Sequence, residues 1–551
     1  MKQLPRFRRK KMSFKDKVIY QIYPKSYLDT DGDGIGDLAG IIKKLPYLKL
    51  LGVDMIWLNP VYPSPQKDNG YDISDYTAIN PLFGTMEEFQ LLIERAKEQG
   101  ITVMLDMVLN HVSIEHEWFQ KALAGDKKYQ DYFILRDEPT DWVSKFGGNA
   151  WAPFGNTGKY YLHLFDVTQA DLNWRNPEVR EELFKVVRFW MDKGIKGFRF
   201  DVINLIGKDE VLKNNAINDG KPEYTDRPIA HEYLRMLNEA TYGKDPEIIT
   251  VGEMSFTTVE NCILYTQPQR HELSMTFNFH HLKVDYENGK KWTDVPFDFS
   301  ELKRLFHTWG TQMSENNGWN AWFWNNHDQP RALNRFVDVE NYRIEGAKML
   351  ATAIHLNRGT PYIYMGEEIG MVDPDFESMA DYVDVESLNA YQELIQQGYS
   401  EDAAFTIVRR KSRDNARTPM QWTHEKNAGF TKGTPWLAVG NHAQEINAAK
   451  ELEEGSIFAY YQQLIRLRKK YPVISEGSYQ AFVPEHESVY GFVREYDNHK
   501  LLVLNNFFGS AAEVQLPLDY VSGEILIDNY RGTQLTEHLQ LQPYQALAIL
   551  I

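Results

Sequence analysis

Short strand-like runs alternate with helical segments along most of the chain, and this alternation limits the folds open to it. The runs cover residues 18–23, 55–58, 102–106, 197–201, 249–253, 275–279, 321–326 and 361–364. Strands that alternate with helices form a parallel sheet with helical connections. Eight of them favour a closed α/β structure, the TIM (β/α)8 barrel, over an open doubly wound sheet.

Two of the connecting segments carry the terminal signals of helices. Thr85 is followed three residues later by Glu88, which is the spacing of a capping box, and Gly100 ends the pattern. Asn176 precedes Pro177, and proline suits the first turn of a helix. Each of these helices leads into one of the predicted strands.

Two long segments between predicted barrel elements, and a change to short alternating strand patterns near the C-terminus, predict additional domains. About 70 residues separate the third strand from the next helix, too many for an ordinary loop, so we predict a small inserted domain. A second insertion is predicted at about 368–450, and alternating short runs after about residue 475 predict a C-terminal antiparallel β-sandwich domain. The predicted boundaries are 12–108 and 176–474 for the two barrel parts, 109–175 for the inserted domain and 475–551 for the C-terminal domain.

Charge and composition bear on partners and compartment. The net charge of −17 argues against nucleic acid or an anionic membrane as a partner. The single cysteine, Cys262, excludes an internal disulfide and fits a reducing compartment. No apolar run approaches the roughly 18 residues of a membrane span. We therefore expect a soluble, cytoplasmic protein with no nucleic-acid or membrane partner. A monomer is expected separately.

The N-terminus is basic but lacks the apolar segment of a secretory signal. Its cationic residues are Arg6, Arg8, Arg9, Lys10 and Lys11. No apolar region follows them, which makes a signal peptide a poor explanation. Met12 is an alternative start, and the preceding residues are then expected to form a disordered arm.

Three of the predicted strands lead into a carboxylate: Asp201, Glu253 and Asp328. The C-terminal ends of parallel barrel strands meet at one rim, so these acids are expected to lie together. Carboxylates at such a rim can supply the nucleophile and the acid/base group that cleave a glycosidic bond. Each acid alone would more often be a structural residue, and the set of three carries the prediction.

The neighbours of these acids refine their predicted chemistry. Arg199 precedes Asp201 by two residues, so both side chains share one face of a strand. A guanidinium there would keep the carboxylate ionised, as a nucleophile requires. Partial burial of Glu253 would favour the protonated form that a general acid needs. Taken alone, an Arg–Asp pair is most often structural.

Further polar and aromatic residues follow other predicted strands. DNGYDI contains Asp68 and Tyr71, and a tyrosine ring can form a wall for a sugar. DMVLNH contains Asp106 and His111, and His327 precedes the third acid. A histidine beside acids can bond sugar hydroxyls, although a lone histidine is more often structural.

The ordered set DMVLNH, QADLNW, GFRFDVIN, VGEM and NNHDQPR resembles the signature regions of the alpha-amylase family, glycoside hydrolase family 13. QIYPKSY and SRDNARTPMQW are similar to its exo-acting alpha-glucosidase branch. The resemblance spans nearly the whole chain and implies a retaining double displacement without a catalytic cofactor. It implies Asp201 as nucleophile, Glu253 as acid/base and Asp328 as stabiliser of the transition state.

The same resemblance implies a pocket for a non-reducing terminal glucose. Its expected residues are Asp68, Tyr71, His111, Arg199, His327 and Arg413. Asp68 and Arg413 would close the pocket behind the sugar, which favours removal of one glucose at a time.

The acidic segment DTDGDGIGD is rich in oxygen ligands suited to a hard cation such as Ca²⁺. An EF-hand is excluded because Gly40 stands at its twelfth position, and an acidic turn without an ion is the alternative. The resemblance implies a structural, non-catalytic Ca²⁺ here. Its ligands would be Asp29, Asp31, Asp33, the Ile35 carbonyl and Asp37.

The stretches GEMSFTTVENCILYT and MTFNFHHLKVDY resemble the subgroup that cleaves trehalose 6-phosphate. A phosphorylated disaccharide needs cationic groups near its phosphate, and Lys283, Lys290 and Lys291 are the candidates. Lysines on a solvated loop are the alternative for each. The other functions considered are an oligo-1,6-glucosidase or dextran glucosidase, which shares the catalytic motifs, and a non-catalytic relative that serves as a partner subunit.

Overall fold

The computed structural model describes residues 13–551, and the predicted N-terminal arm with Met12 lies outside them. A barrel of eight parallel strands forms the centre of the molecule. The strands are β1 (Ile19–Ile22), β2 (Met55–Leu58), β3 (Thr102–Met107), β4 (Gly197–Phe200), β5 (Ile249–Glu253), β6 (Met275–Phe277), β7 (Ala321–Trp322) and β8 (Thr360–Tyr364).

The strands hydrogen-bond in the order β6-β5-β4-β3-β2-β1-β8-β7. A parallel bridge between Thr276 and Asn320 joins the two ends of this series and closes the ring. Each predicted run contributes a strand, which confirms the barrel. The C-terminal ends of all eight strands therefore lie at one rim.

Helices surround the barrel and cover its apolar strands. The longer ones are Leu38–Leu51, Met86–Glu98, Pro177–Asp192, Pro228–Ala240, Val259–Thr266, Phe299–Glu315, Val339–His355 and Ile457–Lys470. The capping box of Thr85 and Glu88 is present, and the Asn176 side chain accepts a hydrogen bond from the first turn of its helix. These local signals therefore define the helix starts that the sequence predicts.

The inserted domain follows β3 and consists of short strands and helices. Its strands are His111–Ser113, Leu135–Arg136, Trp151–Pro153, Tyr160–Leu162 and Gln169–Asp171, and its helices are Glu117–Leu123 and Lys127–Gln130. The first and last strands pair antiparallel, with His111 opposite Asp171. This pairing holds the entry and exit of the insertion together at the barrel rim.

The second insertion and the C-terminal domain complete the chain. Helices Val385–Gln396, Glu401–Lys411, Asp414–Arg417 and Ala448–Glu454 follow β8. The C-terminal strands are β9 (Gln480–Phe482), β10 (Val489–Tyr496), β11 (His499–Asn506), β12 (Ala512–Gln515), β13 (Glu524–Asp528), β14 (His538–Leu541) and β15 (Ala546–Leu550). They form a sheet of order β9-β10-β11-β15-β13 and a pair β12-β14, all antiparallel, which confirms the predicted C-terminal β domain.

Among residues 13–551 there is no helix with the length and apolar character needed to cross a membrane. Cys262 is buried in the helix Val259–Thr266 and has a free thiol. Burial raises the pKa of this thiol to about 12, which keeps it protonated. This cysteine is therefore a small buried residue of the helix.

Gly40, in the helix Leu38–Leu51, packs against the backbone of the loop that follows β1. A substitution at Gly40 therefore tests how closely the helix and this loop are packed. A Cβ at this position would lie 2.1 Å from the carbonyl oxygen of Leu28. Alanine normally favours a helix over glycine, but here the clash with backbone should dominate. We expect Gly40→Ala to lower the thermal unfolding midpoint by at least about 3 °C.

Lys43→Ala is the matched control, because Lys43 is an exposed residue of the same helix. Its unfolding midpoint should stay within about 1 °C of the wild type. An equal or higher midpoint for Gly40→Ala would contradict the predicted close contact.

Candidate active site

The guanidinium of Arg199 joins three carboxylates at the C-terminal rim of the barrel. Its Nη1 donates to Asp106 Oδ1 at 2.7 Å and to Asp201 Oδ1 at 2.6 Å, and its Nη2 lies 2.6 Å from Glu253 Oε2. Asp106 is paired with Arg199 in the register of β3 and β4. The structure thus brings together two of the predicted catalytic acids on one buried cation.

This cluster carries more negative than positive charge. Burial raises the pKa of Asp201, and the neighbouring Glu253 and Asp106 raise it further, against the lowering effect of Arg199. Burial likewise raises the pKa of Asp106 to about 6. The Arg–Asp pair expected from the sequence is therefore one part of a four-membered group. Three crowded carboxylates favour retention of a proton within it.

The backbone turn after Asp201 is strained and connects to the second acid. Val202 has φ of 35°, a left-handed conformation that β-branched residues rarely adopt. Its amide donates a hydrogen bond to Glu253 Oε2 at 3.2 Å. The turn thus orients the ends of β4 and β5 relative to each other.

Asp328, in the loop after β7, is held by cations from the second insertion. Its Oδ1 accepts hydrogen bonds from Arg413 Nη1 at 3.2 Å and Arg417 Nη2 at 3.0 Å. Burial would raise the pKa of Asp328, but His327 and these two guanidinium groups outweigh it and hold the pKa well below its usual range. Asp328 is therefore ionised at neutral pH.

Arg413 also connects two walls of the site. Its Nη2 lies 2.5 Å from Asp384 Oδ1 and 3.8 Å from Asp68 Oδ1. Sequence reasoning did not identify Asp384 or Arg417. Arg417 could have been predicted from the sequence, because it lies four residues after Arg413 across one short helix. Asp384 could not have been predicted in this way, because its contact with Arg413 spans 29 residues of sequence.

Tyr71 and His327 form a stacked pair beside these acids. Their ring centroids are 5.2 Å apart with an interplanar angle of 5°. Burial lowers the pKa of His327 to about 3, so the imidazole is neutral. Its Nδ1 contacts Gln21 Nε2 at 3.0 Å, and its buried Nε2 lies 3.2 Å from Asp328 Oδ2. The imidazole thus lies between Gln21 and the third acid.

The inserted domain supplies a further wall through its first and last strands. Gln169 Nε2 donates to Asp68 Oδ2 at 3.0 Å and lies 3.2 Å from His111 Nε2. Burial lowers the pKa of His111 to about 4 and raises that of Asp68 to about 7. Gln169 lies in the QADLNW motif, but only this contact shows that its side chain joins the inserted domain to Asp68.

The three lysines predicted after β6 have different surroundings. Lys291 Nζ is 2.7 Å from Glu386 Oε2, and the same Glu386 oxygen is 3.3 Å from Arg413 Nε. Lys290 lies exposed in a tight turn. Lys283 follows the helical turn His280–Leu282 after β6.

The predicted cation loop lies between β1 and the first barrel helix. Carboxylate oxygens of Asp29, Asp31 and Asp37 all lie within 4.8 Å of one another. Asp33 is not part of this group and instead accepts a hydrogen bond from the Ile35 amide at 2.8 Å. Three converging carboxylates form a donor set that fits a hard divalent cation.

Comparison with known proteins gives concordant matches. The family described as "Alpha amylase, catalytic domain" matches residues 21–477, and the "Alpha-amylase SusG C-terminal domain" matches residues 489–547. A trehalose-6-phosphate hydrolase of Bacillus subtilis is 49% identical, with 97% of each chain covered. An oligo-1,6-glucosidase of Parageobacillus thermoglucosidasius is 45% identical, over 97% of this chain and 98% of the relative.

Among solved structures, the Bacillus licheniformis trehalose-6-phosphate hydrolase superimposes with a TM-score of 0.94. It is 48% identical in sequence, over 98% of this chain and 99% of that one. The catalytic-domain match, the barrel with its inserted domain and the acidic rim agree with one another. The chain therefore belongs to the alpha-amylase family of glycoside hydrolases.

Proposed function

We propose that this protein is a retaining, exo-acting alpha-glucosidase that hydrolyses trehalose 6-phosphate to glucose and glucose 6-phosphate. The observation that carries the reaction type is the guanidinium of Arg199 between Asp201 and Glu253. The identity of about 49% to a trehalose-6-phosphate hydrolase supports the substrate.

The proposed reaction proceeds in two displacements. Asp201 attacks the anomeric carbon, the C1–O bond to the leaving sugar breaks, and Glu253 gives its proton to the departing oxygen. Glu253 then removes a proton from water, and the water oxygen displaces Asp201 from C1. Free glucose and a protonated Glu253 result. A separation of about 5–5.5 Å between the two carboxyl groups is the prediction for this geometry.

Proton placement within the Arg199 cluster is central to this scheme. The cluster favours retention of one proton, and catalysis needs that proton on Glu253 and a charged Asp201. Arg199 donates a hydrogen bond to Asp201 and forms an ion pair with Glu253, so it can stabilise Asp201 as a carboxylate before attack and Glu253 as a carboxylate after proton transfer. A cation shared in this way can stabilise whichever of the two acids carries the negative charge at each step.

The remaining groups fit the terminal glucose. Asp328, whose pKa lies well below its usual range, can accept hydrogen bonds from ring hydroxyls and stabilise positive charge at the anomeric centre. The neutral imidazoles of His111 and His327 can each donate or accept a hydrogen bond. The approach of Arg413 to Asp68 closes the pocket behind the sugar and supports removal of one glucose at a time.

The second candidate is an oligo-1,6-glucosidase, since a relative with that name is 45% identical. Phosphate recognition separates the two functions, because only trehalose 6-phosphate needs cationic groups around the leaving sugar. A substrate panel of trehalose 6-phosphate, trehalose, isomaltose, maltose and sucrose tests them directly. Faster cleavage of isomaltose with no preference for the phosphorylated sugar would overturn the proposed substrate.

A structural Ca²⁺ in the loop of Asp29, Asp31 and Asp37 is a further part of this proposal. These carboxylates would supply oxygen ligands together with the Ile35 carbonyl, and Asp33, which lies outside their group, would have to turn toward the ion to complete the expected set. The loop also contacts the second insertion, because the Asp29 amide donates to the Phe430 carbonyl at 3.0 Å. An ion there would stabilise this connection without taking part in catalysis. We further expect a monomeric, cytoplasmic enzyme acting on a small sugar.

Replacement of Asp201 by asparagine tests the nucleophile. Asp201→Asn removes the attacking oxygen charge, so we expect kcat on trehalose 6-phosphate to fall by at least about a thousandfold. The unfolding midpoint should not fall, because a neutral amide relieves the crowding of negative charge around Arg199. Exposed Asp192→Asn is the control and should retain activity. Wild-type turnover in Asp201→Asn would refute the assignment.

The pH dependence of kcat/KM tests the role of Arg199. Asp201 must be ionised to attack, and Arg199 is the cation that lowers its raised pKa. Without that cation the pKa rises further, so Arg199→Gln should move the acidic limb of the profile to higher pH by about one unit or more. Arg188→Gln, which removes an exposed guanidinium near Glu181, should leave the profile unchanged. An unmoved acidic limb in Arg199→Gln would contradict this account.

Chelation tests the cation loop. A Ca²⁺ that binds only the folded chain at a hundred times its Kd adds about 2.7 kcal/mol of stability. EGTA should therefore lower the unfolding midpoint by several degrees, and added Ca²⁺ should restore it. Asp31→Asn should weaken this response, and Asp75→Asn, at an exposed acid elsewhere, should not. A midpoint insensitive to EGTA in the wild type would count against the ion.

A further inference from the structure

Lysines from separate parts of the chain lie against the segment that follows the acid/base candidate Glu253: Lys145 Nζ is 2.9 Å from Ser255 Oγ, and Lys221 Nζ is 5.9 Å from the centroid of the Phe256 ring. Lys145 belongs to the inserted domain, Lys221 to the short helix Ile217–Glu223 after β4, and Lys283 to the segment after β6. The positive charges of Lys221 and Lys283 both act on Lys145, as does the negative charge of Glu253. The fold therefore assembles a cationic group that no local stretch of sequence contains.

The ammonium of Lys145 is held in a defined position. Its Nζ donates a hydrogen bond to Ser255 Oγ at 2.9 Å, and Ser255 follows Glu253 by two residues. Asn204 fixes the Ser255 backbone, accepting from its amide at 3.0 Å and donating to its carbonyl at 2.8 Å. Lys145 is therefore anchored to the end of β5 rather than free in solvent.

The cationic group lacks matching anions. Within the described part of the chain, neither Lys145 nor Lys283 forms a salt bridge, and Lys221 has one carboxylate, Asp219 Oδ2, at 3.0 Å. This excess of positive charge stands out in a chain of net charge −17. Three ammonium groups with a single ion-paired partner leave room for an anionic ligand.

The environment of Lys145 is costly for its charge. Burial, Lys221 and Lys283 together lower the pKa of Lys145 to about 7. The side chain of Lys283 is exposed to solvent. A dianion between these ammonium groups would relieve their mutual repulsion and supply acceptors for their hydrogens.

The lysines border the pocket that would hold the terminal glucose. Phe146, adjacent to Lys145, places its ring 5.5 Å from the Arg413 guanidinium, which contacts Asp328. Lys145 itself reaches the segment just after Glu253, the group that would protonate the leaving oxygen. The contact of Lys145 with Ser255, two residues after the group that would protonate the leaving oxygen, places this lysine toward the leaving sugar.

We propose that Lys145, Lys221, Lys283 and Ser255 form a subsite for the 6-phosphate of the leaving glucose, with Lys145 as its specificity-determining residue. This inference rests on the proposed hydrolysis of trehalose 6-phosphate. It assigns the phosphate to a lysine of the inserted domain that sequence reasoning did not identify. Of the three lysines predicted from the sequence, it uses Lys283 and leaves out Lys290 and Lys291.

Lys145→Met tests the subsite by removing the charge while keeping an unbranched side chain. The measurement is kcat/KM for trehalose 6-phosphate and for the unphosphorylated p-nitrophenyl α-glucoside. We expect the ratio of the two constants to fall about ten- to a hundredfold, the loss typical of one charge-assisted hydrogen bond. Lys145→Arg should restore much of the ratio, and Lys283→Met should lower it as well.

Lys159→Met is the matched control, because Lys159 is a solvated lysine of the same inserted domain that pairs with Asp137 at 3.4 Å. It should leave both constants unchanged. An unaltered ratio in Lys145→Met, or equal losses on both substrates, would overturn the subsite. If Lys145→Met does not fold, as judged by thermal unfolding, Lys283→Met decides by the same ratio.

The same measurements on the wild type distinguish a failure of the phosphate subsite from a failure of the proposed function. A wild type without preference for trehalose 6-phosphate over trehalose would reject the substrate, and the subsite with it. A wild type that prefers trehalose 6-phosphate, together with a Lys145→Met variant that keeps this preference, would reject the subsite alone.

Discussion

The buried ion cluster around Arg199 is the interaction on which the rest of the site depends. One guanidinium contacts Asp106, Asp201 and Glu253, which come from three adjacent barrel strands. Removing the guanidinium from such a buried cluster would cost about 3–5 kcal/mol, because it leaves the carboxylates without a compensating charge. The closed barrel fixes the ends of these strands in register, so that the guanidinium nitrogens of Arg199 reach all three acids.

A second group of charges balances the opposite side of the site. Arg413 and Arg417 hold Asp328 as a carboxylate, and Asp384 in turn contacts Arg413. The two sides differ in their protonation, since burial and like charge raise the pKa of Asp201 while guanidinium groups keep Asp328 ionised. Carboxylates in such different environments can take different roles in one reaction.

The insertions turn an open rim into a pocket of defined chemistry. The antiparallel pair formed by the ends of the inserted domain places His111 and Gln169 near Asp68. The same domain places Lys145 against Ser255 at the end of β5. The barrel thus supplies the reacting carboxylates. The proposed recognition of the glucose and of the phosphate depends on the insertions that follow the barrel strands.

Local sequence patterns determined the elements of this protein. Strand runs, the capping box at Thr85 and the acids that end the strands at Asp201 and Glu253 could be identified because each depends on residues close in the chain. The rule that barrel strands end at one rim then brought those acids together. Motif order alone was enough to indicate the family and the residues expected in its sugar pocket.

Tertiary structure decided which charges meet. The contact of Asp384 with Arg413 and that of Lys145 with Ser255 join residues 29 and 110 positions apart. No periodicity or motif encodes such pairs, because they arise from the packing of insertions on the rim. Protonation was decided in the same way, since the raised pKa of Asp201 reflects burial and neighbours from other strands. Sequence therefore specified the reacting groups, and the folded rim set their charges and their partners.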